Sequence, residues 1–178
     1  AIVAVAALAG LSYFSSQLGK YSLDNIVKTS AVTRDYINWV SNEEGGSAYS
    51  LGEVGEGLGG MIAKFPAAVN VTLFRPYPWE AKKPIVALSA LEALLFLFLT
   101  LKILFEVGLK KVWASISKDP TIQFSLVFTL IFAFAVGISS YNFGTLTRYK
   151  IPCMPFYAAA LILIYYDNKP LKKKLLPF

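Results

Sequence analysis

The chain has 178 residues, 56% of them hydrophobic and 15% aromatic, with a mean hydropathy of +0.54, so it carries more apolar side chains than one soluble core absorbs. It has no histidine and one cysteine, Cys153, which excludes imidazole metal sites, histidine-ligated haem, a histidine general base and an internal disulfide; no metal and no cofactor is expected. The net charge of +6 sits beside apolar runs, a pattern that points to lipid headgroups rather than nucleic acid as the anionic partner.

The chain opens in an apolar run, AIVAVAALAGLSYF (1–14), too short to cross a bilayer alone. No basic residue precedes it, so it does not read as a secretory signal. The expectation is a partial span, in a chain that is the C-terminal part of a longer polytopic protein. Ala6 and Gly10, four apart, would permit close helix contact. From 15 to 83 the chain turns polar and its lysines and arginines are balanced by carboxylates. Ser22 or Asp24 can cap a helix running to about Val40. The glycine-rich stretch from Glu43 to Gly60 predicts a mobile or tightly turned loop. Within it Gly55, Gly57 and Gly60 match a dinucleotide fingerprint, but Glu53 and Glu56 would repel a pyrophosphate and no apolar strand leads in. Residues 61–73 predict an amphipathic or interfacial helix interrupted by Pro66. The sequon at Asn70-Val71-Thr72 lies in that apolar stretch and reads as chance.

The main span runs from Pro84 to Gly108, proline at its start and glycine at its end. A basic connection with Lys110, Lys111 and Lys118 leads to Asp119-Pro120, which caps a span from Thr121 to about Ser139. The loop 140–150 then leads to a last span, Ile151 to about Tyr166, and a basic tail. The fold class is therefore all-α: a multi-pass transmembrane helical bundle of about four spans, the first incomplete. It divides into the partial span 1–14, an extracytoplasmic and interfacial segment 15–83, and a three-span bundle 84–178. The lysines of the 109–120 connection and of the tail put those segments and the C-terminus in the cytoplasm, and 15–83 and 140–150 outside.

Glu92 lies about 12 Å inside the main span, where a bare carboxylate is expensive and faces a partner or water. It is either a proton-linked or ligand-orienting acid, or a structural carboxylate hydrogen-bonded to a neighbouring helix. Lys102 and Glu106, one turn apart, read as a self-satisfied pair. Around the outer end, Arg75, Lys82, Lys83, Arg148 and Lys150 are interleaved with Phe74, Tyr77, Trp79, Tyr141, Phe143 and Tyr149, with Asn142 beside them, and combine cations suited to phosphate with aromatic faces suited to sugar rings. An aromatic belt with interfacial anchors explains the same residue types without a ligand. The cost of an unpaired acid predicts that Arg148 folds back onto Glu92 with Arg75 nearby, in a loop turned by Asn142, Gly144 and Thr145.

The strings SAYSLGE (47–53), LFRPYPWE (73–80), LSALEALL (88–95) and NFGTLTRYKIPCMPF (142–156) resemble the C-terminal half of polytopic inner-membrane proteins from surface-polysaccharide loci of Bacteroidota-type bacteria. The resemblance covers roughly Ser47 to Tyr166. It implies a bacterial inner-membrane protein that handles a lipid-linked sugar phosphate, glycosyltransferase-like or polymerase-like, and it implies no particular catalytic residue. The alternative is a non-catalytic transmembrane subunit of a larger respiratory, secretion or transport complex. The expected partners are the lipid bilayer, a lipid-linked sugar phosphate and other membrane subunits.

Overall fold

The computed structural model describes residues 47–52, 55 and 57–168, together with residues 28, 29, 32, 33, 35–37, 39 and 40, which are helical. The expected partial span at 1–14, the caps at Ser22 and Asp24 and the basic tail from 169 lie outside the described residues. From residue 57 onward the chain forms α1 (Gly57–Ala63), α2 (Phe65–Phe74), a 3-10 turn (Pro78–Glu80), α3 (Pro84–Val107), α4 (Leu109–Lys118), α5 (Pro120–Ser140), α6 (Phe143–Tyr149) and α7 (Met154–Asn168). The described residues are all-helical, with no strand beyond a single bridge between Ala48 and Asn142.

The ends of the long helices follow the sequence signals. Pro84 occupies the first turn of α3, where its missing N–H costs nothing. Gly108 ends α3 at φ 86°, a conformation that a side chain would strain, and the chain turns there into α4. The Asp119 carboxylate accepts the Thr121 N–H at 2.7 Å and caps α5.

Two helices, α3 and α5, are long and apolar enough to cross a membrane. The expected last span does not reach that length. Residues 151–153 form a turn and α7 begins at Met154, with Pro155 tolerated in its first turn, leaving a helix of 15 residues. Other elements also differ from expectation. The 61–73 stretch is interrupted beside Pro66, at Lys64 between α1 and α2, with the proline in the first turn of α2, and Ala68, Val71, Thr72 and Leu73 of α2 are buried in the bundle. The glycine-rich stretch is already helical from Gly57, and a Cβ on Gly60 would meet the Gly55 carbonyl oxygen at 2.0 Å, so close backbone approach accounts for Gly60. The 109–120 connection and the 140–150 loop contain the helices α4 and α6.

The central element is α5, which packs on α2, α4, α6 and α7. Its buried positions, Ile122, Ser125, Thr129, Ala133, Val136, Gly137 and Ser140, recur every three or four residues and form one stripe. Small residues at the α2 crossing let the two backbones touch. A Cβ on Gly137 would lie 2.3 Å from the Ala68 carbonyl oxygen and 2.8 Å from Thr72 Oγ1. Thr72, fully buried, shares its hydroxyl hydrogen between Ala68 O at 2.9 Å and Ala133 O at 2.8 Å, so the sequon threonine is used inside the bundle. Gly137→Ala should therefore destabilise the protein by about 2 kcal/mol, because the clash is with backbone. Gly59→Ala, where an added Cβ meets nothing within 4 Å, should be neutral or stabilising by about 0.5 kcal/mol. Thermal unfolding of both variants in detergent checks the contrast.

Candidate functional site: a polar cleft at the Lys83 end

The site is built on the turn between α5 and α6. Tyr141 adopts φ 44°, a left-handed conformation that reverses the chain, and it is held there from both sides. The Tyr49 N–H donates to Tyr141 O at 3.1 Å and the Phe143 N–H to Ser47 O at 2.9 Å, so the 47–50 segment lies along the turn. The Tyr49 ring stacks on Tyr141 at 5.8 Å, and its hydroxyl donates to Gly137 O at 2.9 Å. Asn142 then caps α6, its Oδ1 accepting the Gly144 N–H at 2.8 Å and that of Thr145 at 3.4 Å.

Asn142, Gly144, Thr145 and Arg148 of α6 line a cleft of about 360 Å³ with Lys83, which precedes α3, and with Tyr36, Ile37 and Val40. The cleft thus presents a guanidinium, an ammonium, an amide and two hydroxyls. Arg148 is exposed and its Nε donates to Gly144 O at 3.3 Å, which keeps the side chain along α6 with Nη atoms available. Among the described lining residues there is no carboxylate. Among the described residues no three Cys, Asp or Glu side chains are grouped to hold a metal.

Glu92 has a partner, but it is Lys150 and not Arg148. Lys150 Nζ stands 3.7 Å from Glu92 Oε2. The reason is helical geometry: residues two apart on α6 and its C-cap differ by about 200° around the axis, so Arg148 faces out when Lys150 faces in. The burial is lopsided, with the Lys150 side chain 1% exposed and Glu92 40%. Lys150 Nζ has no hydrogen-bond partner among the described residues, and burial disfavours its charge more than the nearby Glu92 favours it.

Arg75 is committed elsewhere. Its guanidinium forms a two-pronged ion pair with Glu80, Nε to Oε2 at 3.0 Å and Nη2 to Oε1, and lies 5.3 Å from the Phe143 ring centre. The Tyr77 N–H donates to the same carboxylate at 2.8 Å. Burial works against the charged form of Glu80, but Arg75 and this N–H outweigh it and hold the carboxyl below its usual value. Trp79 is 80% exposed and stacks on Tyr77 at 4.9 Å, and it does not line the cleft. Of the residues singled out in the sequence, Asn142 and Arg148 meet in the cleft, Glu92 pairs with Lys150, and Arg75, Trp79 and Tyr141 do not line it. Tyr36 was not among the candidates; Lys83 stood among the outer cations and Thr145 among the donors of the turn, and both line the cleft with Arg148.

Comparison with known protein families, with curated proteins and with solved structures found no match.

Because the cation is the buried partner, Glu92→Ala should cost about 3 kcal/mol by stranding Lys150. Lys150→Met should cost less, since the half-exposed Glu92 can be solvated, and the double variant should unfold near Lys150→Met. Thermal unfolding of the three variants in detergent measures this. The Glu80 pair sets a pH dependence. A depressed carboxyl contributes stability that is complete above its usual value of 4.5 and lost as pH falls through its lower folded value. Acid unfolding below about pH 4.5 should therefore be less steep in Glu80→Gln than in the parent.

Proposed function

We propose that the chain is a multi-pass protein of the bacterial inner membrane that binds a lipid-linked sugar phosphate in surface-polysaccharide synthesis, with the phosphate in the cleft between Lys83 and Arg148. The observation that carries this reading is the convergence of Lys83, Arg148, Asn142 and Thr145 at one end of an apolar bundle. Arg and Lys contribute charge to a phosphate, the amide and hydroxyl complete its coordination, and Tyr36 offers a face to a sugar.

The apolar surface supports the membrane half of the proposal. Along α3, Ile85, Leu88, Leu91, Leu95, Phe98, Leu101 and Phe105 are exposed at intervals of three or four residues, a stripe running most of a helix about 36 Å long. Only 22% of the apolar window of α3 and 39% of that of α5 is buried, so both helices leave a broad apolar face for lipid. In this reading α7 is a third, short membrane helix. Lys110, Lys111 and Lys118 mark the cytoplasmic end and the cleft opens on the outer side. The described cleft lining carries no carboxylate, so the proposal assigns it recognition of the phosphate and names no catalytic residue. The α3 stripe also suits a second reading, a non-catalytic subunit that seats a neighbouring transmembrane helix there; purification at fixed stoichiometry with a larger complex would favour it.

A short-chain polyprenyl pyrophosphate, titrated into the protein in detergent, tests the first reading. Arg148→Ala and Lys83→Ala should each weaken binding about tenfold, while Lys118→Ala should leave it unchanged. Equal affinity in the parent and the Lys83→Ala, Arg148→Ala double variant would refute the cleft as the phosphate site.

A further inference from the structure

A second cavity lies on the opposite half of the bundle, between α3 and α7. It measures about 280 Å³ and is lined by Phe96, Leu99, Ile103, Leu161 and Ile162, with Ala158 where a larger side chain would fill it. Its floor is fixed: Phe96 stacks on Tyr157 at 5.6 Å, and the Tyr157 hydroxyl meets Thr100 Oγ1 at 2.6 Å. The groove begins midway along α3 and ends near α4, where Lys102, Tyr165 and Tyr166 complete the lining. Lys102 is exposed and is the only charged residue among the described residues lining it; Glu106, one turn further along α3, is not among them.

We propose that this groove is a binding site for one anionic phospholipid, with an acyl chain between α3 and α7 and the headgroup phosphate on Lys102. The surroundings carry the charge argument. Immediately after α3, α4 brings Lys110 and Lys111 to the same end, and its Leu109 and Trp113 are 72% and 71% exposed, an apolar-plus-aromatic face flanked by lysines that suits the headgroup layer. An apolar slot that ends at a cation and two tyrosines matches the division of a phospholipid into chain, interface and charge. The site rests on the membrane reading above but not on the ligand assigned to the cleft.

Native mass spectrometry from detergent, titrating phosphatidylglycerol against phosphatidylethanolamine, tests it. The parent should retain one phosphatidylglycerol in preference to phosphatidylethanolamine. Lys102→Ala should reduce that preference about tenfold, Lys102→Arg should restore it, and Ala158→Phe should abolish retention of both lipids. Should Ala158→Phe fail to fold by circular dichroism, Ala158→Leu serves in its place. The proposal is overturned by equal retention of the two lipids, by loss of preference on Lys110→Ala, Lys111→Ala substitution but not on Lys102→Ala, by undiminished retention in the filled-groove variant, or by displacement with inorganic phosphate at matched ionic strength. Polyprenyl pyrophosphate binding and carbonate extraction of the same membranes report separately on the cleft and on membrane insertion.

Discussion

The arrangement depends on one contact, the approach of the α5 backbone to α2 at Gly137. Two helices can meet this closely only where small residues face each other, and Ala68, Ala133 and Gly137 provide that surface. Close approach also lets a polar side chain work across the seam, since the Thr72 hydroxyl reaches carbonyls on both helices. The Gly137 carbonyl then receives the Tyr49 hydroxyl, so the contact that joins α2 to α5 also anchors the segment that holds the α5–α6 turn. The cleft is a consequence of backbone packing about two turns away from it.

The Glu92–Lys150 pair shows how a costly charge is managed at depth. Its cation is sealed in and its anion is half open, so water reaches the pair from the acid side. Ser89 lies one turn from Glu92 on α3, and its buried hydroxyl, like Lys150 Nζ, lacks a hydrogen-bond partner among the described residues.

What was legible in the sequence was what local chemistry controls. Pro84, Gly108 and Asp119-Pro120 mark helix ends because a missing donor, a positive φ and a capping carboxylate each act within one turn. The need of Glu92 for a cation was legible too, from cost alone. Which cation supplies it was not, because Arg148 and Lys150 are equally near in sequence and only the helical winding of α6 separates them. The buried face of α2 was not legible for a related reason: a largely apolar helix of 10 residues carries no periodic signal for the side it buries until a partner such as α5 is known. The role of Tyr49 depends on a contact 88 positions along the chain, which no local pattern encodes.

The unequal lengths of the bundle helices decide what stands beside Glu92. With 24 residues in α3 and 15 in α7, the two differ by about 14 Å, and the difference is taken up at the Lys83 end by α6 and the turn after it. Glu92, some 12 Å along α3 from Pro84, therefore meets the C-cap of α6 through Lys150 instead of the flank of a full-length helix, and the chain that carries this cation leaves Tyr149 and Ile151 exposed on its other side.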